Sequence, residues 1–370
     1  MSGDTPARLF LRKQMDAGIL PGARYRIARY REVLEDGWIG RSVVDPQELP
    51  VGPDTLYDLA SLTKPLVTGA LAVLFRGRGA IDLAEPLERY LPETRGKWLG
   101  RATLLDLLTH RSGLPAWLPL YLQARTREGY LSAVASLFPE YRAGSRVVYS
   151  CLGYIVLAAV LERVGGAGLD RLADKEIFTR IGATQTEFTP SADLRTRIAA
   201  TEKGNERERM MVAEAGEGFT GWRRGVIWGE CHDLNAWTLG GVSGNAGLFS
   251  TAEDLHRLAL EFLGEGTGLF GSGERAFFRQ DFTSGLNENR SVGWQLAATP
   301  GASAGPLLSA RALGHTGFTG TSLWIDPDQG WILILLTNRV HPRYRPDDMN
   351  SLRRDFHRVV LAGACTVSGG

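Results

Sequence analysis

The sequence predicts a mixed α/β (α+β) fold: an antiparallel sheet flanked by helices, with a mostly helical second domain. Strand-like segments lie near both ends of the chain and helix-like segments fill its middle. The strand segments come in adjacent pairs, and one pair is joined by the turn Pro327-Asp328-Gln329-Gly330. A length of 370 residues is enough to bury one large core or two. Together these point to an α/β domain built from residues 1–75 and 245–370, with a helical domain, residues 76–244, inserted between its halves.

Each element has a local reason. Residues 5–18 read as a helix closed by Gly18, and residues 23–30 and 33–44 as two antiparallel strands. Pro65 is tolerated only in a first turn, so a helix must begin near Ser61. Leu66, Val67, Ala70, Leu71, Val73, Leu74 and Phe75 give it an apolar stripe of 3.6-like period, and Gly77 and Gly79 stop it. Residues 81–91 form a loop broken by Pro86. Residues 103–109 form a short helix ending in the turn His110-Arg111-Ser112-Gly113. Residues 131–138 are a further helical piece, and residues 149–164 a strongly apolar helix stopped by Gly165-Gly166. Residues 190–240, rich in Gly, Arg, Glu and Trp, are expected as long loops of the kind that line or cover a site. Thr251 caps a helix over 251–262, with Asp254 three residues on. Strands at 322–325 and 331–337 and a helix at 347–362 complete the chain.

Composition narrows the function classes. Hydrophobic content of 44% and charged content of 22% are ordinary for a globular protein. A net charge of +1 gives no basic footprint for nucleic acid or an anionic membrane. The three cysteines, Cys151, Cys231 and Cys365, form no C-x-x-C pair, and an odd count argues against a disulfide framework. The longest apolar runs, 154–161 and 331–336, are too short to span a bilayer. Residues 1–14 hold no continuous apolar stretch of the secretory type, so a cytoplasmic location is expected, with a periplasmic or secreted one left open.

The most informative stretch is Ser61-Leu62-Thr63-Lys64. A serine and a lysine three apart at a helix start lie on one face, with Cβ atoms about 5–6 Å apart. A lysine that has lost its proton can take the hydroxyl proton and create an acyl-transfer nucleophile. A helix N-terminus also offers free N–H groups and a dipole that favour an oxyanion. The same four residues could serve only as a serine cap beside a solvated lysine. Three further stretches add to the pattern: Tyr149 within Val147-Val148-Tyr149-Ser150-Cys151, the segment Gly314-His315-Thr316-Gly317-Phe318-Thr319-Gly320, and Cys231-His232-Asp233 leading to Gly240-Gly241-Val242-Ser243-Gly244-Asn245-Ala246-Gly247.

In this order and at these separations, S-x-x-K, a tyrosine and a [KH]-T-G strand resemble the serine β-lactamase-like and penicillin-binding superfamily, over about residues 5–360. Its class C β-lactamase, D,D-peptidase and esterase branch is the most similar. The resemblance implies the β-lactamase/transpeptidase-like fold, with no cofactor and no metal. It implies Ser61 as nucleophile, Lys64 as its hydrogen-bonded base and Tyr149 as proton shuttle. It places His315, Thr316 and Gly317 along the cleft, and the N–H groups of Ser61 and Phe318 in an oxyanion hole. To act as a base, Lys64 would have to fall from about 10.4 to about 7–8.

Three positions depart from the pattern. Cys151 stands where family members often carry Asn, and a thiol cannot supply an amide's hydrogen bonds. His315 stands where many carry Lys, so a fixed charge for a substrate carboxylate is weakened. Asn245 stands where a histidine is expected. His315 could also be a structural strand residue, and Cys151 an inert packing thiol at the head of an apolar helix. His232-Asp233 lacks further ligands at metal spacing and reads as part of a loop lining the substrate cleft. Trp117, Trp222, Trp228 and Trp237 could wall the pocket or anchor loops. The expected activity is hydrolysis of a small amide or ester through a Ser61 acyl-enzyme, with a cell-wall-derived peptide or muropeptide first. A carboxylesterase or β-lactamase, a penicillin-binding sensor and a non-catalytic binding module are the alternatives.

Overall fold

The computed structural model describes residues 5–212 and 218–367, with side chains to 363. Ten strands are described: β1 (Gly22–Arg29), β2 (Glu32–Val43), β3 (Leu49–Pro50), β4 (Tyr57–Asp58), β5 (Glu187–Phe188), β6 (Leu248–Ser250), β7 (Gln295–Leu296), β8 (Leu313–Thr316), β9 (Ser322–Ile325) and β10 (Trp331–Thr337). Seven form one antiparallel sheet in the order β3-β2-β1-β10-β9-β8-β7. The first and last strands of the chain thus meet at its centre, Tyr25 opposite Leu335. The 331–337 segment reads as a continuous apolar run because β10 is buried on both faces. One face packs on the Pro6–Asp16 and Met349–Val367 helices through Leu11, Tyr25, Trp324 and Phe356. The other packs on the Ala252–Leu263 helix and the Ser61 segment through Leu62, Leu66, Phe262 and Ile334.

Between the strands of this sheet run the helices Leu104–Leu108, Arg127–Ala135, Cys151–Gly165 and Glu206–Val212. Three local expectations need correction. The helical piece expected at 131–138 is Arg127–Ala135: Thr126 caps it and Pro139 follows its end. The 190–240 region, expected as loops, contains a 3₁₀ turn, Ala192–Arg197, and two short helices, Glu206–Val212 and Leu234–Thr238; residues 213–217 of that region lie outside the described residues. The Ser61 helix is no simple α-helix. It starts as a 3₁₀ turn, Ala60–Leu62, widens to a π-turn, Lys64–Gly69, and becomes α-helical at Ala70–Gly77. Such π-turns recur at functional sites. No single described helix is long and apolar enough to cross a membrane.

Candidate active site

Ala60 enters the left-handed region at φ 48°, which costs a non-glycine residue roughly 1–2 kcal/mol. The next residue is Ser61. Strain of this kind persists only where neighbours over-determine it. Here Asp58 Oδ1 accepts the Ala60 N–H (2.8 Å), and Thr63 Oγ1 donates to Ala60 O (2.7 Å) while accepting the Leu248 N–H (3.2 Å). The bend turns Ser61 towards a cavity of about 620 Å³ and Lys64 into the core beneath it. Lys64 Nζ donates to Ser61 Oγ (2.9 Å) and to Asn245 O (3.0 Å), and lies 4.9 Å from the Tyr149 ring centre.

Tyr149 precedes the Cys151–Gly165 helix, whose cap is Ser150; Ser150 Oγ also donates to Pro115 O (2.7 Å). His110, at φ 59°, ends the Leu104–Leu108 helix as the sequence suggested, and it also holds the tyrosine in place. Its Nδ1 accepts the Ser150 N–H (2.9 Å), and its ring packs 4.6 Å from that of Tyr149. On the other side Tyr149 faces His315 at 5.7 Å and the Arg290 guanidinium at 5.5 Å. His315 Nε2 is buried without a hydrogen-bond partner, and Tyr149 Oη, buried as well, makes no hydrogen bond of ordinary geometry but stands beside Lys64 and Ser61.

The Thr316–Thr321 turn brings β8 against the Ser61 segment. Thr319 Oγ1 donates to Asp58 O (2.7 Å) and Thr321 Oγ1 to Leu59 O (3.1 Å). Gly317 is required by this approach: a Cβ there would stand 2.1 Å from Thr321 Oγ1 and 2.5 Å from Leu59 O. Buried Arg353 fastens the turn from below, donating to Gly317 O and Thr321 O. Among the described hydrogen bonds none uses the N–H of Ser61 or of Phe318, and both residues line the cavity.

Charge in this cluster is coupled. Burial acts to lower the Lys64 ammonium, but Cys151, Tyr149 and Asp233 outweigh it and the net direction is upward. Whether Lys64 can give up its proton therefore depends on the protonation of these neighbours. Cys151 and Tyr149 favour the ammonium only as anions, and burial raises both, so the three groups share protons as one unit. Burial, with Lys64 and Arg290 nearby, drives His315 well below its ordinary value. That direction favours the neutral imidazole, whose Nδ1 lies against Thr316 O (2.9 Å), and so weakens His315 as a charge for a substrate carboxylate.

The remaining candidates divide. Thr316 and Cys151 line the cavity, so Cys151 reaches the site instead of packing wholly into the helix core. His232 also reaches the wall, but Nε2 is held by Glu202 (2.9 Å) and its backbone N–H donates to Asp58 (2.7 Å), while the ring stacks on Phe318 at 5.3 Å. Asp233 caps the Leu234–Thr238 helix and accepts from Asn245 Nδ2 (3.2 Å). Asn245 thus enters the site through its backbone carbonyl. Among the described residues no group of three or more His, Cys, Asp or Glu side chains could hold a metal ion. Trp117 lines the cavity, Trp222 packs on Tyr121 and Phe219, and Trp228 and Trp237 anchor loops through Ile198 O and Glu230. Sequence reasoning missed His110 as a support, Asn245 O as the second acceptor for Lys64, and Arg290 and Arg353. Of these only the Ser243-Gly244-Asn245 loop carried a signal.

Comparison with known proteins gives one consistent result. The model of the family described as Beta-lactamase matches residues 7–356. A Salmonella agona protein named "Putative D-alanyl-D-alanine carboxypeptidase" is 31% identical, over 90% of this chain and 82% of its own. An Escherichia coli K12 protein of the same name is 32% identical, over 81% and 73%. The crystal structure of a β-lactamase/D-alanine carboxypeptidase from Pseudomonas syringae superposes with a TM-score of 0.74 at 18% identity, covering 97% of this chain and 98% of that one, which establishes the shared fold.

Proposed function

The chain belongs to the Beta-lactamase family and is a serine hydrolase, and from that premise we propose that Ser61 forms an acyl-enzyme with a D-alanyl peptide derived from the cell wall, releasing the terminal D-alanine. The observation that carries the reading is the 2.9 Å hydrogen bond between Lys64 Nζ and Ser61 Oγ, with the ammonium enclosed beneath the cavity floor. The Lys64–Tyr149 pair first gives up one proton to solvent. It then takes the Ser61 proton as Oγ bonds to the substrate carbonyl carbon. The tetrahedral oxyanion lies between the N–H groups of Ser61 and Phe318, each such donor being worth roughly 10²–10³ in rate. The pair returns its proton to the leaving amine as the C–N bond breaks, and water cleaves the ester by the reverse route. The substrate class comes from the relatives' names, both at or above 31% identity over most of this chain.

A second reading, a carboxylesterase on the same machinery, is favoured by two observations. Burial favours neutral His315, and Cys151 offers the cavity no amide. Release of D-alanine from a diacetyl-lysyl-D-alanyl-D-alanine peptide, run beside 4-nitrophenyl esters, separates the two. Peptide turnover lost in Ser61→Ala supports the first reading, and ester turnover with no D-alanine release overturns it in favour of the second.

A further inference from the structure

The wall of the same cavity carries a feature that acylation does not use. The Phe318 ring stacks on two others, His232 at 5.3 Å and Tyr344 at 5.5 Å. Two guanidinium groups lie over this stack. Arg207, on the Glu206–Val212 helix, is 4.1 Å from the Tyr344 ring centre and 5.8 Å from that of Phe318. Arg339, just beyond β10, is 5.0 Å and 5.2 Å from the same centres. Both line the cavity that contains Ser61. Burial holds Arg339 below the ordinary arginine range although the Tyr344 hydroxyl beside it favours the charge, and repulsion from Arg207 adds to the downward push.

Like charges held together on a cavity wall favour a bound anion, and among the described residues no carboxylate forms an ion pair with either guanidinium. Arg339 uses Nε on Phe318 O (3.1 Å) and a terminal nitrogen on Arg345 O (3.0 Å). Among the described residues the Arg207 guanidinium has no hydrogen-bond acceptor and no carboxylate within ion-pair distance. Asp347 lines the same cavity and favours the charge on Arg339, yet pairs with neither arginine. The other cations of the cavity are committed: Arg290 to Glu288 (2.5 Å), Arg353 to Gly317 O, Thr321 O and Asn350, and Lys64 to Ser61 and Asn245. His315, held towards its neutral form, is a weak alternative.

We propose that Arg207 and Arg339 form the site for a carboxylate of the substrate, with Arg207 the specificity-determining group. A guanidinium lying over an aromatic ring keeps its in-plane N–H fork free for a bidentate carboxylate. Because Arg339 also holds Phe318 O, an anion docked here bears on the residue whose N–H faces the oxyanion. The proposal rests on the acyl-enzyme reading and does not require that the substrate be a D-alanyl peptide.

The test is steady-state kinetics of the whole chain on two ester pairs: phenyl acetate against 3-acetoxybenzoate, with the carboxylate on the leaving group, and 4-nitrophenyl valerate against 4-nitrophenyl hydrogen glutarate, with it on the acyl group. In the wild type, kcat/KM for at least one carboxylate-bearing ester exceeds that of its neutral partner. Arg207→Ala lowers that ratio about tenfold or more, the size of a charge-assisted hydrogen bond, through KM. Arg207→Lys keeps the charge, loses the fork and falls between. An equal loss on both members of a pair, or the absence of any preference in the wild type, overturns the site. A preserved ester preference without D-alanine release supports the site while the peptide reading fails. If no ester is turned over, calorimetric titration with 3-hydroxybenzoate decides: binding weakened about tenfold by Arg207→Ala supports the site, and equal or absent binding overturns it.

Discussion

Gly317 is where the Thr316–Thr321 turn meets the backbone before Ser61 too closely for a side chain, so Gly317→Ala tests that contact directly. The added methyl would stand 2.1 Å from Thr321 Oγ1 and 2.5 Å from Leu59 O, about 1 Å short of ordinary contact. The hydroxyl could rotate away, but the Leu59 carbonyl is backbone two residues before Ser61, and Thr321 Oγ1 is its hydrogen-bond donor (3.1 Å). Relief therefore means parting the Thr316–Thr321 turn from the Ser61 segment by close to 1 Å. The N–H groups of Ser61 and Phe318 sit on opposite sides of that seam. A 1 Å misplacement can cost about 10²-fold in rate. Overpacking of this kind costs about 1–3 kcal/mol, which for a chain of this length lowers Tm by only a few degrees. The assay is kcat/KM on a 4-nitrophenyl ester beside a thermal melt. The expected outcome is a folded protein, a Tm lowered by a few degrees and a rate down about 100-fold. A Gly317→Ala protein within threefold of wild-type activity would refute the argument that this contact sets the oxyanion geometry.

Other expectations follow from the same geometry. Tyr149→Phe removes the buried hydroxyl beside Lys64 and Ser61 and should lower kcat by roughly 10²–10⁴-fold, with KM changed little; a wild-type kcat would remove Tyr149 from the proton path. Lys64 and Tyr149 are both raised, and the working state is the pair with one proton fewer, so activity is lost as pH falls and rises with pH above neutrality; a pH–rate profile with its maximum near pH 5 would contradict this. His232→Leu leaves the buried Glu202 Oε2 without its imidazole and should cost about 1–3 kcal/mol in a denaturant melt; an unchanged midpoint would mean the pair is not structural.

The sequence revealed the elements whose signals are local. The strands either side of Pro327–Gly330, the Thr251 cap and the glycine stop after the Cys151–Gly165 helix all depend on neighbours within a few residues. It misplaced what tertiary contact decides. The Ser61 segment widens into a π-turn at Lys64–Gly69, and Lys64 there bonds both Ser61 Oγ and Asn245 O, a partner 181 residues away. The motif residues Ser61, Lys64, Tyr149, His315, Thr316, Gly317 and Phe318 gather around one cavity or directly beneath it. Their protonation was not legible in the same way. Lys64 and His315 take their direction from burial and from Cys151, Tyr149 and Arg290, neighbours that spacing along the chain does not reveal. Arg353, which fastens the turn from the far side, and His110, which supports Tyr149 through Ser150, look from sequence like a surface helix arginine and a turn residue.

The central claim is that Ser61 is a nucleophile activated by Lys64. Intact-mass and peptide mapping after incubation with a fluorophosphonate tests it most directly. The account predicts one adduct on Ser61 in the wild type, none in Ser61→Ala, and labelling slowed by at least 10²-fold in Lys64→Met. An adduct on another residue, or equal labelling of wild type and Ser61→Ala, would contradict it.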